Sequence, residues 1–187
     1  MPILLASASP RRRDLLAAAG ISFEVEPPAV DETRKPTEAA EAYVERMARE
    51  KATAAARRHS TRVVLAADTI VVVGDRVLGK PTDAADAAAM LRALSGRAHV
   101  VMTAVAVARD GVVRVAVDRT TVRMRRVTED EIRAYVSTGE PLDKAGAYAI
   151  QGGAEAFIEQ IDGALDTVIG LPVDRVRALL QEMGVKA

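Results

Sequence analysis

The chain has 187 residues and no cysteine, and its 26 basic and 26 acidic side chains give a formal net charge of zero. That length holds one domain or two closely fused lobes with a sizeable core, while zero net charge excludes a global field that draws the chain to nucleic acid or anionic lipid. The missing cysteines exclude disulfides, a thiolate nucleophile and Cys-based metal sites, and with no signal-like N-terminus and no apolar run of about 18 residues the expected location is the cytoplasm, with no membrane partner.

Ile3 to Ala6 reads as a short strand. It runs into a turn of small residues, Ser7-Ala8-Ser9-Pro10, and a helix from Arg11 to Ala19 closed by Gly20. A second strand, Phe23 to Glu26, leads to a Pro-rich loop holding Asp31 and Glu32. Thr37 is the expected cap of a helix to Arg58, with Ala40, Tyr43, Val44 and Met47 on one apolar face and Lys51 near its end. Val63 to Ala67 and Ile70 to Val73 read as buried strands flanking Asp68-Thr69, which puts Asp68 at a strand end, and Gly74-Asp75 turns the chain back.

Thr82 or Asp83 caps an Ala-rich helix to Leu94, stopped by Ser95-Gly96. A long strand from His99 to Ala108 and another reaching Arg126 are joined by the hairpin signal Asp110-Gly111. In the second strand the valines sit at odd positions (Val113, Val115, Val117) and then apolar residues sit at even ones (Val122, Met124). This phase change predicts a β-bulge or bend near 118–121. Thr128 to Glu131 is a capping box for a helix to Ser137, closed by Gly139. Ala147 to Ile150 and Ala156 to Ile161 read as short strands, and Pro172 opens a last helix to Met183. With no linker that marks a boundary, the expectation is a single domain over 1–187 of mixed α/β class.

Several familiar patterns fail. Gly74 to Lys80 fits GxxxxGK, but Pro81 stands where a P-loop needs Ser or Thr for Mg²⁺, and Gly74 opens a hairpin. Asp143-Lys144-Ala145-Gly146 lacks the Thr of phosphoenzyme pumps. His59 and His99 have neither metal-motif spacing nor a nucleophile elbow, so each reads as a surface or polar-core residue. Five aromatics form no stacking ladder for single-stranded nucleic acid.

What remains is a set of charges at element ends. The turn Ser7 to Arg12 precedes a helix N-terminus, whose free N–H groups and dipole favour an anion, and Arg11 and Arg12 add bidentate donors. Asp68, between apolar runs, is a carboxylate that needs a nearby cation or metal; the bland alternative is a structural pair with Lys51 or Lys80. Glu32 is a second carboxylate on a loop able to fold toward it, or else a solvated one. Basic positions are filled by 21 Arg and only five Lys, so Lys51, Lys80 and Lys144 stand out as compact charges where Arg cannot substitute. Two carboxylates among several cations match the needs of phosphoanhydride hydrolysis: a held divalent metal, an oriented water and offset of phosphate charge.

The segments ASASPRRR, REKA around Lys51, AADTIV around Asp68, GKP at Gly79 to Pro81, LSGRAHVVMTAVAV and GEPLDKAGAYAIQG resemble, in order and over essentially the whole chain, the Maf family of nucleoside triphosphate pyrophosphatases. The resemblance implies a mixed, twisted β-sheet with flanking helices and two lobes around a central cleft. It also implies hydrolysis of a nucleoside triphosphate to monophosphate and pyrophosphate, a Mg²⁺ or Mn²⁺ cofactor, and a homodimer. By position, Asp68 matches the family's proton acceptor, and Glu32, Lys51 and Lys80 match its other catalytic or phosphate-contacting charges. Arg11, Thr69 and Gln151 match the branch that prefers dTTP and UTP; a Gln amide pairs with a pyrimidine edge as donor and acceptor.

On this reading Glu32 and Asp68 hold the metal, while Ser7, Ser9, Arg11, Arg12, Lys51 and Lys80 face the triphosphate. Lys144 either touches substrate or pairs with Asp143 or Glu140. Gly163 to Thr167 departs from the family pattern by lacking an aromatic, which bears on base selectivity. The rivals are a nucleotide-binding regulator of cell division without turnover, and a pyrophosphatase for non-standard nucleotides.

Overall fold

The computed structural model describes residues 2–185. Its strands are β1 (Ile3–Ala6), β2 (Phe23–Val25), β3 (Val64–Val73), β4 (Arg76–Leu78), β5 (Ala98–Arg109), β6 (Val112–Met124) and β7 (Ile158–Asp162). The helices are α1 (Pro10–Ala18), α2 (Ala40–Arg58), α3 (Ala84–Leu94), α4 (Glu129–Ser137), α5 (Leu165–Ile169) and α6 (Val173–Glu182). The strands form one seven-stranded sheet in the order β2-β1-β3-β5-β6-β7, with β4 paired to β3. It is mixed: β1 runs parallel to β2 and β3, whereas β3–β4 and β6–β7 are antiparallel.

The chain divides into two compact units. The first comprises residues up to Asp68, Thr103–Asp118 and those from Gly170 on; the second comprises Thr69–Met102 and Arg119–Ile169. β3, β5 and β6 each contribute to both. In the first unit Ile3 and Leu5 of β1, Leu65 of β3 and Val105 and Val107 of β5 are buried with Leu16 of α1 and Val176 and Leu180 of α6. Each such side chain contributes roughly 1.5–3 kcal/mol by leaving water, and together they anchor both ends of the Ser7 to Arg12 turn. In the second unit α3 packs on α4, burying Leu91, Leu94 and Ile132, and Tyr135 meets Phe157 edge-to-face at 5.6 Å.

Local signals account for several element ends. Asp110 and Gly111 both have positive φ, as a two-residue hairpin turn demands. Asp83 caps α3 by accepting from the Asp86 N–H, and Thr128 with Glu131 forms the full capping box of α4. Gly74 lies in the β3–β4 hairpin, as the rejection of a P-loop requires.

Three expectations need correction. Asp68 is not at a strand end: β3 runs unbroken through it, because Asp68 and Thr69 can stay in the ladder while their side chains find partners. Thr37 does not cap α2. It has a φ of 62°, and the N-cap is Ala39, with no side-chain bond; Glu38 instead accepts from the Lys35 N–H and from Arg46. The segment from Ala147 to Ile150 is buried but not a strand. Gly146 and Ala147 take positive φ there, and apolar composition alone cannot separate a buried turn from a buried strand. On β6 the phase change is visible in the exposure: Val113 and Val115 are half-buried beside exposed neighbours at 112 and 114, whereas Thr120, Val122 and Met124 are buried and alternate with exposed residues. The pairing of β6 with β7 is irregular at Arg123/Met124.

Candidate active site

The first unit gathers seven of the singled-out residues. Lys51 sits on α2 at the helical spacing of Val44, Met47, Ala48, Ala52 and Ala55, all buried, so the helix face that packs on the core carries its ammonium inward. Lys51 Nζ donates to Asp68 Oδ1 at 2.6 Å and reaches Glu32 Oε1 at 2.8 Å. With side-chain exposures of 11% and 14%, the Lys51–Asp68 pair is largely withdrawn from water. Losing one partner from such a pair strands a charge. Glu32 stays exposed at 55%, a carboxylate whose position the loop must set.

Two side chains of α2 set that loop. Tyr43 donates its hydroxyl to the Glu32 carbonyl at 2.7 Å. Arg46 donates to the Thr33 carbonyl at 3.1 Å and to both Glu38 carboxylate oxygens, which holds the Glu38 pKa down to about 2. Burial, then the negative charges of Asp68 and Glu32, push the Tyr43 pKa up. Sequence reasoning placed Tyr43 only on the apolar face. The signal was its register: Tyr43, Met47 and Lys51 follow one another at four-residue steps on one side of the helix.

The turn after β1 is built around Arg12. Its Nε donates to the Gly170 carbonyl at 2.8 Å, and its Nη1 donates to Ser7 Oγ at 3.1 Å and the Ala67 carbonyl at 2.9 Å. Ser7 Oγ also accepts from the Ser9 N–H at 3.2 Å. Arg12 therefore ties the turn to the residue before Asp68. Burial lowers its pKa, opposed by the charge of Asp68. Ser9 is the N-cap of α1 but makes no side-chain cap bond, and no acidic residue occupies the first turn. The dipole of α1 thus favours an anion at this end, where Arg11 is half-buried.

Among the described residues no group of three or more His, Asp or Glu side chains is placed to hold a metal. Glu32 and Asp68 nevertheless converge on one cation, Lys51 Nζ. An all-oxygen pair of carboxylates suits Mg²⁺ or Mn²⁺, which bind through one or two carboxylates plus substrate phosphate oxygens.

The second unit carries Thr69, Lys80, Lys144 and Gln151. Thr69 is partly buried on β3, and Lys80 and Gln151 are exposed on loops. Lys144 Nζ donates to Asp143 Oδ1 at 2.6 Å and to the Glu140 carbonyl at 2.8 Å, so both neighbours named from the sequence engage it. The Gly146 N–H donates to the Gly79 carbonyl at 3.0 Å, which couples the segment before Gln151 to the one holding Lys80. His99 is buried against Tyr148, with Nε2 2.7 Å from its hydroxyl, and burial lowers its pKa to about 4. It is a polar-core residue, as expected; His59, on the surface, pairs with Glu26.

The Maf-like protein family matches residues 2–183. The chain belongs to that family. Among its Maf relatives, the dTTP/UTP pyrophosphatase of Hahella chejuensis is 46% identical, covering 98% of this chain and 93% of the relative. The dTTP/UTP pyrophosphatase of Anaeromyxobacter dehalogenans is 52% identical, covering 97% and 94%. Among solved structures, the Staphylococcus aureus Ham1 protein is similar with a TM-score of 0.57 over 98% of this chain and all of that one; at 17% identity this likeness concerns the fold. No helix of the described Maf chain is long and apolar enough to cross a membrane.

Proposed function

We propose that this Maf chain, working as a single catalytic domain, hydrolyses pyrimidine nucleoside triphosphates, dTTP and UTP, to the monophosphate and pyrophosphate. The observation that carries the reading is the convergence of Glu32 and Asp68 on Lys51, in a chain about half identical to relatives named for that reaction. Asp68 accepts the proton of a water whose oxygen attacks the α-phosphorus; the α–β phosphoanhydride bond breaks and pyrophosphate leaves. Lys51 pairs with Asp68 and offsets charge that builds on phosphate oxygens. The N-terminal end of α1 and Arg11 receive the triphosphate. Arg12, already bonded to Ser7, Ala67 and Gly170, holds that turn in place beside Asp68, with its charge adding to the anion field. Glu32 and Asp68 would hold a Mg²⁺ or Mn²⁺ ion, which supplies further neutralisation of phosphate charge.

Lys80 acts as a phosphate-side cation, Lys144 is held by Asp143 and the Glu140 carbonyl, and Arg11, Thr69 and Gln151 select the base. The protein works as a cytoplasmic homodimer, checked by light scattering. The test of the reaction is pyrophosphate release from a panel of dTTP, UTP, CTP, 5-methyl-UTP, dITP and 7-methyl-GTP with saturating Mg²⁺ or Mn²⁺. Asp68→Asn is expected to cut turnover of dTTP by roughly 10²–10⁴, the range for loss of a general base. Parental turnover in that variant refutes the role of Asp68, and no turnover of any nucleotide by the parent protein favours a regulator.

A further inference from the structure

The Tyr148 to Gly153 segment that carries Gln151 lies outside every helix and strand, so its shape must come from elsewhere. A backbone turn, in which the Gly152 N–H donates to the Ala149 carbonyl at 3.2 Å, and three side chains supply it. The Ala149 N–H donates to the Tyr135 hydroxyl at 3.0 Å, the Gly153 N–H donates to Glu140 Oε2 at 3.0 Å, and the Tyr148 hydroxyl meets His99 Nε2. Tyr135 also hydrogen-bonds Glu140, which with the larger effect of burial raises its pKa. Tyr135 is 4% exposed and Ala149 9%, so the bonds at the N-terminal end of the segment are shielded from water.

Glu140 and Tyr135 also approach the backbone closely. A Cβ on Gly152 would overlap Glu140 Oε1, and one on Gly153 would come within 3.0 Å of the Tyr135 ring. Glu140 and Tyr135 thus press on the backbone immediately after Gln151 and bond the backbone two residues before it and two after it. Gln151 alone between these anchors faces solvent.

We infer that Tyr135 and Glu140 are positioning residues that fix the Gln151 side chain, and through it the affinity of this Maf protein for the pyrimidine base. The inference rests on the proposed base-reading role of Gln151. Neither residue touches substrate; they act by removing the freedom that a loop amide would lose on pairing with a base.

The experiment measures KM and kcat for dTTP and UTP in Tyr135→Phe, Glu140→Ala, Gln151→Ala and Tyr135→Phe/Gln151→Ala, with amide hydrogen exchange at Ala149 and Gly153. Tyr135→Phe keeps the ring against Phe157 and loses only the hydroxyl, so it carries the test even if Glu140→Ala folds poorly. The expected result is a KM raised roughly 10- to 100-fold, the effect of a small misplacement, with kcat within about threefold and faster exchange at both amides. In the Gln151→Ala background Tyr135→Phe adds nothing further to KM, because the pair acts through Gln151. If Gln151→Ala raises KM but Tyr135→Phe and Glu140→Ala do not, the positioning role is wrong while base reading stands. If Gln151→Ala leaves KM unchanged for both nucleotides, base reading fails and the positioning role falls with it.

Discussion

In the first unit the polar groups around Asp68 are charged: Lys51 bridges Asp68 and Glu32, and Arg12 is bonded to the residue before Asp68. In the second they are neutral, with His99, Tyr148 and Tyr135 bonded to one another's segments and to the backbone. The one carboxylate in that network, Glu140, is spent on backbone amide and phenol donors. Charges in a weakly solvated site give strong, long-reaching fields suited to phosphate chemistry, but each depends on its partner. Neutral networks give shape with little field and respond to pH through whichever member can take a proton. On the proposed function, chemistry falls to a strand and a helix, and recognition to a loop held by side chains.

The hardest test of the contrast is Lys51→Met. It leaves Asp68 buried without its ammonium, and the expected loss is about 3–5 kcal/mol of stability, read from the urea midpoint at pH 7, together with loss of pyrophosphate release. A loss well under about 1 kcal/mol, typical of surface pairs, would show that water reaches Asp68 freely.

The second unit is tested by pH. Folded His99 has a pKa of about 4, whereas an unfolded histidine titrates near 6.5. Between those values the unfolded chain binds the extra proton, so stability is fully present above about pH 6.5 and is lost as pH falls toward 4, by roughly 2–4 kcal/mol in all. His99→Gln is expected to flatten the urea midpoint across that window relative to the parent. An unchanged slope would place the acid sensitivity in the carboxylates instead.

The smallest effect sharpens the comparison by touching neither network. Thr128→Ala removes the cap of α4 and is expected to cost about 1 kcal/mol, seen as a lower Tm, with kcat and KM for dTTP unmoved. A change in KM here would mean that α4, which carries Tyr135, transmits its end to the Gln151 segment.

Much of the fold was legible because local chemistry decided it. Asp110-Gly111, Asp83 and Thr128 with Glu131 act over two to four residues, and each forms the turn or cap expected of it. Where long-range packing chose, reading failed. Thr37 is a good cap by residue type, yet Glu38 bonds to Arg46, eight residues on, and the helix begins at Ala40. Ala147 to Ile150 is apolar enough for a strand, but Gly146 closes on Val71 and Gly79 and bends it. Within the site, the charged residues could be named in advance because unpaired charges among apolar runs are conspicuous. Tyr43, Tyr135 and Glu140 could not, since a tyrosine on an apolar face and a glutamate after a glycine are unremarkable until their partners arrive.

The sequence by itself determined the α/β class, the Maf family and the identity of the charges, because periodicity, caps and motif order are properties of neighbouring residues. The tertiary structure decided how those charges pair: Lys51 serves two carboxylates from separate elements, and Arg12 is committed to Ser7, Ala67 and Gly170. Pairing depends on distances across residues far apart in the chain, and a burial cost that no local pattern records selects the partner.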